Sequence, residues 1–266
     1  MELAGRTALL TGATGGLGRA IAMALSEGGA SLVLSARDPQ ALEALAAELP
    51  GSHRAAPADL AEPGAAEQLA GSSPQVDILV ANAGLPGAGW LSDFTPEQVQ
   101  RALRVNLEAP MLMARALSPA MVERGSGHLV FVASLSGKAA SPRSAIYNAT
   151  KFGLRGFALG LRADLAPRGV GVSLVSPGFI RDAGMFAEAG AKPPSGLGTG
   201  TPEQVGDAVV RAIRKDRVEV AVAPLRQRAL AHMGLASPGI SVRAQSGSAG
   251  QKAAREIAEG HSPDKR

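Results

Sequence analysis

The chain has 266 residues, enough to bury one sizeable core within a single large domain. It has no cysteine, which excludes disulfides, thiolate metal sites and a cysteine nucleophile and fits a reducing compartment; at 3% aromatic residues it also lacks a stacking platform for nucleic acid. Its 27 Lys and Arg against 23 Asp and Glu give a formal charge of +4, with the cations scattered, a balance that suits an anionic small ligand better than a nucleic-acid surface.

Apolar runs of strand length alternate with longer amphipathic segments. RTALLT (6–11) reads as the first strand, followed by a helix at about 16–28; SLVLS (31–35) is the second, followed by a helix at 39–49. HRAAP (53–57) is a weak strand, inferred from the regular alternation, and a helix at 62–71 precedes VDILVA (76–81). Long helices at 96–123 and 144–167 flank GHLVFVAS (127–134), and a helix at 202–215 separates the strand around 170–177 from VEVAVA (218–223). Thr95-Pro96-Glu97 and Thr201-Pro202-Glu203 each set a cap residue before proline at the first helical position. Continuous apolar strands separated by helices mark a parallel sheet buried on both faces. The predicted fold class is therefore α/β: a doubly wound, Rossmann-like sheet of about seven strands in a three-layer αβα sandwich.

Residues 183–200, rich in Gly and Pro, break this pattern after a strand end and read as a mobile lid. Residues 1–235 are expected to form one dinucleotide-binding and catalytic domain, and 236–266 a mostly polar tail, partly disordered or used at an oligomer contact. No run approaches the roughly 18 apolar residues of a membrane span, and the amino terminus lacks a targeting pattern, so the expected location is cytoplasmic with no membrane partner.

TGATGGLG (11–18) joins the first strand to the first helix. Gly12, Gly16 and Gly18 allow a tight turn, a close approach to a pyrophosphate and tight helix packing, and the helix amino terminus offers N–H donors and a positive dipole end. Thr14 and Leu17 lie in the same loop. The second strand ends in Ser35-Ala36-Arg37, with no acid before Asp38. A cation there favours NADP, whose 2′-phosphate Arg37 would pair; NAD, which needs a carboxylate for its ribose, is less favoured.

Tyr147, the only tyrosine, stands four residues before Lys151, so the two share a helix face, and an ammonium beside a phenol is expected to lower its pKa from about 10. Ser134 lies thirteen residues earlier, at a strand end facing the crevice where open α/β sheets bind ligands.

Taken in order, the T-G-x-x-x-G-x-G loop, the ADL and NAG segments, Ser134 and Tyr147-x-x-x-Lys151 resemble the classical short-chain dehydrogenases/reductases as far as about residue 223. The resemblance implies that Ser134 holds the substrate oxygen, Tyr147 exchanges a proton with it, and Lys151 tunes the phenol and binds the nicotinamide ribose. It also places Asp59, with Leu60, at the adenine, and Asn82 and Gly84 along the cofactor ribose. Pro177, Gly178 and Ile180 fall on the nicotinamide side. Asn106 is the fourth member of the catalytic set; Pro110 has no N–H to give the Asn106 carbonyl, which is left free for the family's water-mediated proton relay. Two positions depart from the pattern: Gly15 where many NADP-using relatives carry a basic residue, and Asp182 where many carry Thr.

The activity so implied interconverts a carbonyl and a secondary alcohol, with a small-molecule substrate and a homodimer or homotetramer formed through the long helices. An NAD-dependent alcohol dehydrogenase and a non-catalytic dinucleotide-binding sensor or scaffold are the alternatives. His53, His128, His232 and His261 show no metal-ligand spacing; they are read as surface or structural, and no metal is expected.

Overall fold

A computed structural model of the protein describes residues 1–73 and 75–261. Seven parallel strands form one sheet in the order β3-β2-β1-β4-β5-β6-β7: β1 (Thr7–Thr11), β2 (Ser31–Ser35), β3 (His53–Ala55), β4 (Ile78–Ala81), β5 (Gly127–Val132), β6 (Val170–Pro177) and β7 (Glu219–Val222). Every residue of β4 and β5 is buried, as central strands covered on both faces require. Successive side chains point to opposite faces. Leu10, Val80 and Val130 therefore join one core with Ile21, Leu25, Leu42, Leu45, Val205 and Val209, while Leu9, Leu79 and Leu129 join another with Leu69, Met113, Leu117 and Leu154.

The first core is covered by α1 (Gly16–Glu27), α2 (Pro39–Glu48) and, later in the chain, α8 (Pro202–Arg214). Between α1 and α8 the backbones approach so closely that a Cβ on Gly206 would lie 2.6 Å from the Ala20 carbonyl oxygen. The second core is covered by α3 (Ala65–Gly71), α5 (Ala109–Glu123) and α6 (Ala145–Leu165), with α4 (Pro96–Leu103) leading into α5. Thr95 and Thr201 cap α4 and α8 as expected. Each hydroxyl accepts from the N–H three residues on, Gln98 or Gln204, and that glutamine side chain accepts from the threonine N–H.

Two elements differ from the sequence reading. The helix expected over 96–123 is interrupted by a π-helical turn, Arg104–Glu108, in which the Ala109 N–H reaches back five residues to the Arg104 carbonyl. Pro110 lacks the N–H that the next turn would use, and the register shift absorbs that gap. The second difference lies beyond residue 235, where the expected tail is helical. After α7 (Gly184–Glu188) and α9 (Leu225–Ala236) come α10 (Pro238–Gln245) and α11 (Ser248–Glu259), and α11 buries Ala253, Ala254 and Ala258. Residues 262–266 of that segment lie outside the described residues. Among the described residues no helix is long and apolar enough to cross a membrane.

Candidate active site

The strand order reverses between β1 and β4, and there the chain opens a crevice beyond the carboxyl ends of the strands. Gly12, the first residue after β1, has φ +64, and a Cβ on it would lie 2.9 Å from Ala83 Cα, so glycine is required on both counts. The loop is tied to the end of β4: Asn82 Nδ2 donates to the carbonyls of Thr11 (3.1 Å) and Gly12 (3.2 Å), and Thr11 Oγ1 accepts from the N–H groups of Asn82 and Ala83. No side chain caps α1 and no acid sits in its first turn, so its N–H groups face the crevice beside Gly15 and Gly16.

At the end of β2, Arg37 is exposed and makes no ion pair among the described residues. Its neighbour Asp38 caps α2, accepting from the N–H groups of Gln40 (2.9 Å) and Ala41 (3.2 Å). Asp59 bends the next loop by accepting from the Ala61 N–H at 2.9 Å. Thr14, Leu17, Gly18, Leu60, Gly84, Pro177, Gly178 and Ile180 join these residues around one cavity of about 1140 Å³ that also holds Ser134, Tyr147 and Lys151.

Asn106 does not line that cavity. It is buried behind Gly84, where its Oδ1 accepts from the Leu85 N–H (2.6 Å) and its Nδ2 donates to the Leu85 carbonyl (2.9 Å), clamping the loop after β4.

Ser134 leaves β5 in extended conformation; its Oγ accepts from the Ser136 N–H at 3.1 Å, donates to the Pro177 carbonyl at 3.4 Å and lies beside the Tyr147 phenol. Lys151 is buried, with Nζ donating to the Val132 carbonyl at 3.0 Å and lying 5.6 Å from the centre of the Tyr147 ring. The expected lowering of the phenol by this lysine is not found. Burial pushes the Tyr147 pKa up, the Ser134 hydrogen bond offsets part of that rise, and burial lowers Lys151 to about 8.

A family model described as short chain dehydrogenase matches residues 6–194. The chain belongs to the short-chain dehydrogenase family. It is accordingly an NAD(P)H-dependent oxidoreductase. Ketoacyl reductase HetN of Nostoc sp. is 34% identical over 227 residues, covering 83% of this chain and 79% of its own length. Human dehydrogenase/reductase SDR family member 4 is 36% identical over 187 residues, 67% of each chain. A short-chain dehydrogenase from Sphingobium yanoikuyae, solved in complex with NADPH, superposes with a TM-score of 0.76 at 30% identity, covering 87% of this chain and 95% of that one. A 3-oxoacyl (acyl-carrier-protein) reductase from Agrobacterium tumefaciens C58 with NADP bound gives a TM-score of 0.75 at 28% identity, covering 83% and 93%.

This short-chain dehydrogenase also uses residues that sequence reasoning missed. Gln227 on α9 is buried: its Oε1 accepts from the Phe179 N–H (3.1 Å) and its Nε2 donates to the carbonyls of Leu197 (3.3 Å) and Gly198 (2.8 Å). One side chain so joins the turn after β6 to the far end of the 183–200 lid. The start of the lid meets the glycine loop, where Gly16 has no room for a Cβ beside Ala183. Its middle meets α11, since the Lys192 N–H donates to Glu256 at 3.1 Å, and Ala253, Ala254 and Ile257 of α11 close the far wall of the cavity. The only sequence signal for Gln227 is a glutamine in the run after Pro224; the α11 residues carry none stronger than an Ala–Ile stripe.

Replacing Gln227 by Leu removes three hydrogen bonds worth about 1 kcal/mol each and leaves the Phe179 N–H and two carbonyls to find other partners. The expected outcome is a lower melting temperature and a cofactor affinity reduced about tenfold, read by calorimetry and by titration of the dinucleotide.

Proposed function

We propose that the enzyme uses NADPH to reduce the carbonyl of a compound with an apolar body to a secondary alcohol, with Tyr147 as the proton donor. The observation that carries this reading is that Ser134, Tyr147 and Lys151 line the same cavity as the open glycine loop and Arg37. The loop fits a dinucleotide: its glycines leave no Cβ in the way, and α1 presents uncapped N–H groups where a pyrophosphate would lie. Arg37 supplies an unpaired cation for a 2′-phosphate, whereas Asp38 is engaged at its helix cap and is poorly placed to serve the ribose hydroxyls NAD presents. That relatives such as the Sphingobium and Agrobacterium proteins were solved with NADPH or NADP supports the same choice.

When bound, the nicotinamide supplies the hydride to the carbonyl carbon. Ser134 Oγ donates to the carbonyl oxygen and orients it toward the Tyr147 hydroxyl. Tyr147 gives that oxygen its proton as charge develops there, a task for which a protonated phenol is suited. The Lys151 ammonium, anchored on the Val132 carbonyl, stabilises the phenolate left behind. Lys151 then returns a proton to that phenolate, and a water held at the Asn106 carbonyl, to which Pro110 has no N–H to give, would bring the lysine a proton from solvent. The apolar lining formed by Leu135, Phe186, Leu230 and Ile257 fits an apolar substrate body. Exposed Leu103, Met111 and Phe152 on α4–α6 support the expected homo-oligomer.

Titration with NADPH and NADH tests the cofactor: Arg37→Ala is expected to weaken NADPH by roughly tenfold to a hundredfold and NADH little, and equal binding of the two by the wild type would overturn the assignment. Tyr147→Phe should retain NADPH binding while carbonyl reduction falls by about 10²–10⁴.

The pH profile follows from Lys151. Because burial lowers its pKa from 10.5 to about 8, the ammonium is present below that pH and lost above it. The value of kcat/KM for reduction is therefore expected to be level up to about pH 8 and to decline beyond; a profile level to pH 10 would remove the lysine from the mechanism.

A further inference from the structure

Beside the catalytic cavity lies a side pocket of about 340 Å³ between the loop after β4, the loop before α6 and the end of α11. His261 belongs to the walls of both spaces. It is 96% buried by its 4% exposure, and its Nδ1 lies 2.8 Å from the Ile257 carbonyl oxygen, so Nδ1 carries the proton and donates. The opposite nitrogen, Nε2, is buried with no hydrogen-bond partner among the described residues.

The side pocket's other basic residue, Arg143, has the same peculiarity. Its guanidinium carbon lies 4.5 Å from the centre of the Trp90 ring, and its Nε is buried with no hydrogen-bond partner among the described residues. Two carboxylates share this pocket, and both are engaged. Asp93 accepts from the Trp90 N–H (3.3 Å) and from Ser92 Oγ (3.4 Å), and Glu259 lies 2.6 Å from Arg255 Nε. Arg143 makes no ion pair among the described residues. Its backbone is held at φ 52, in the left-handed region that non-glycine residues rarely occupy, and its carbonyl accepts from the Gly89 N–H at 2.7 Å. Buried polar atoms without partners are rare because each forfeits its hydration, and here two of them belong to one small pocket.

We propose that this pocket binds the carboxylate end of the substrate whose carbonyl is reduced at Tyr147, so that the enzyme acts on oxo-carboxylic acids with an apolar segment between the two groups. A carboxyl group that binds together with one proton satisfies both orphans at once: one oxygen accepts from Arg143 Nε–H, and the proton lies between the other oxygen and the lone pair of His261 Nε2. Ala253, Ala254 and Ile257 of α11, which line the catalytic cavity together with His261 and Tyr147, give the apolar segment its contact. The inference rests on the carbonyl-reductase reading above, and its test separates the two.

Oxo-alkanoates of graded chain length and their methyl esters are compared as substrates with saturating NADPH, in wild type, Arg143→Asn and His261→Gln; asparagine tolerates the positive φ that residue 143 requires. For the best chain length the wild type should favour the acid over its ester by about tenfold in kcat/KM, and each variant should lose most of that ratio. A ratio near one in the wild type, or one unchanged by Arg143→Asn, overturns the proposal. Trp90, the single tryptophan of the chain, gives a readout that needs no turnover. Titrating a medium-chain alkanoate should change its emission saturably in the wild type and not in Arg143→Asn. Saturable binding without reduction of any ketone would support the carboxylate pocket while sinking the carbonyl reading, and an emission that never responds would sink the pocket.

Discussion

A parallel sheet has all its carboxyl ends on one side, and its crossover helices must cover both faces; where the strand order reverses, neither set of helices can close the gap. In this protein that gap lies between β1 and β4, and the functional arrangement depends on how the chain fills its edges. Asn82 fastens the glycine loop to the end of β4, and Asn106 clamps the next residues from behind. Both asparagines therefore act as positioning residues. They hold backbone where a ligand needs backbone, and they do it with hydrogen bonds that water would otherwise compete for.

Burial sets the electrostatics of the same crevice. Lys151 sits against the Val132 carbonyl and Tyr147 against Ser134, so the lysine's charge is disfavoured and the phenol's proton is favoured. A second buried cation lies nearby: Lys138 pairs with Glu219 at 3.0 Å, and Glu219 also accepts from Ser176 at 2.7 Å and faces Arg155. This cluster pins the loop that follows Ser134 to β6, β7 and α6 together. Removing one partner would leave a charge in the interior, so the cluster serves geometry more than net stability.

Much of this was legible in the residues. The strands announced themselves because a sheet covered on both faces demands unbroken apolar runs, and the two Thr-Pro-Glu caps announced their helices because capping is local chemistry. The glycine loop, Ser134 and the Tyr147–Lys151 spacing were legible for the same reason, since each is a short-range pattern. What escaped depends on contacts distant in sequence. The missing N–H of Pro110 was visible, but the π turn that absorbs it reflects the packing of a whole helix. The phenol was expected to be lowered by its lysine, whereas tertiary burial reverses the sign. The run SAGQKAAREIAE looked polar because its buried stripe is mostly alanine, whose weak hydrophobicity matters only once a lid lies opposite to receive it.

The lid begins against the loop that would cradle the pyrophosphate, its middle is latched to α11 through Lys192 and Glu256, and its far end is held by Gln227. A lid seated in this way covers the dinucleotide end and the substrate end with one piece of chain. Release of any one of these three attachments would therefore loosen the cover over both ends of the cavity together.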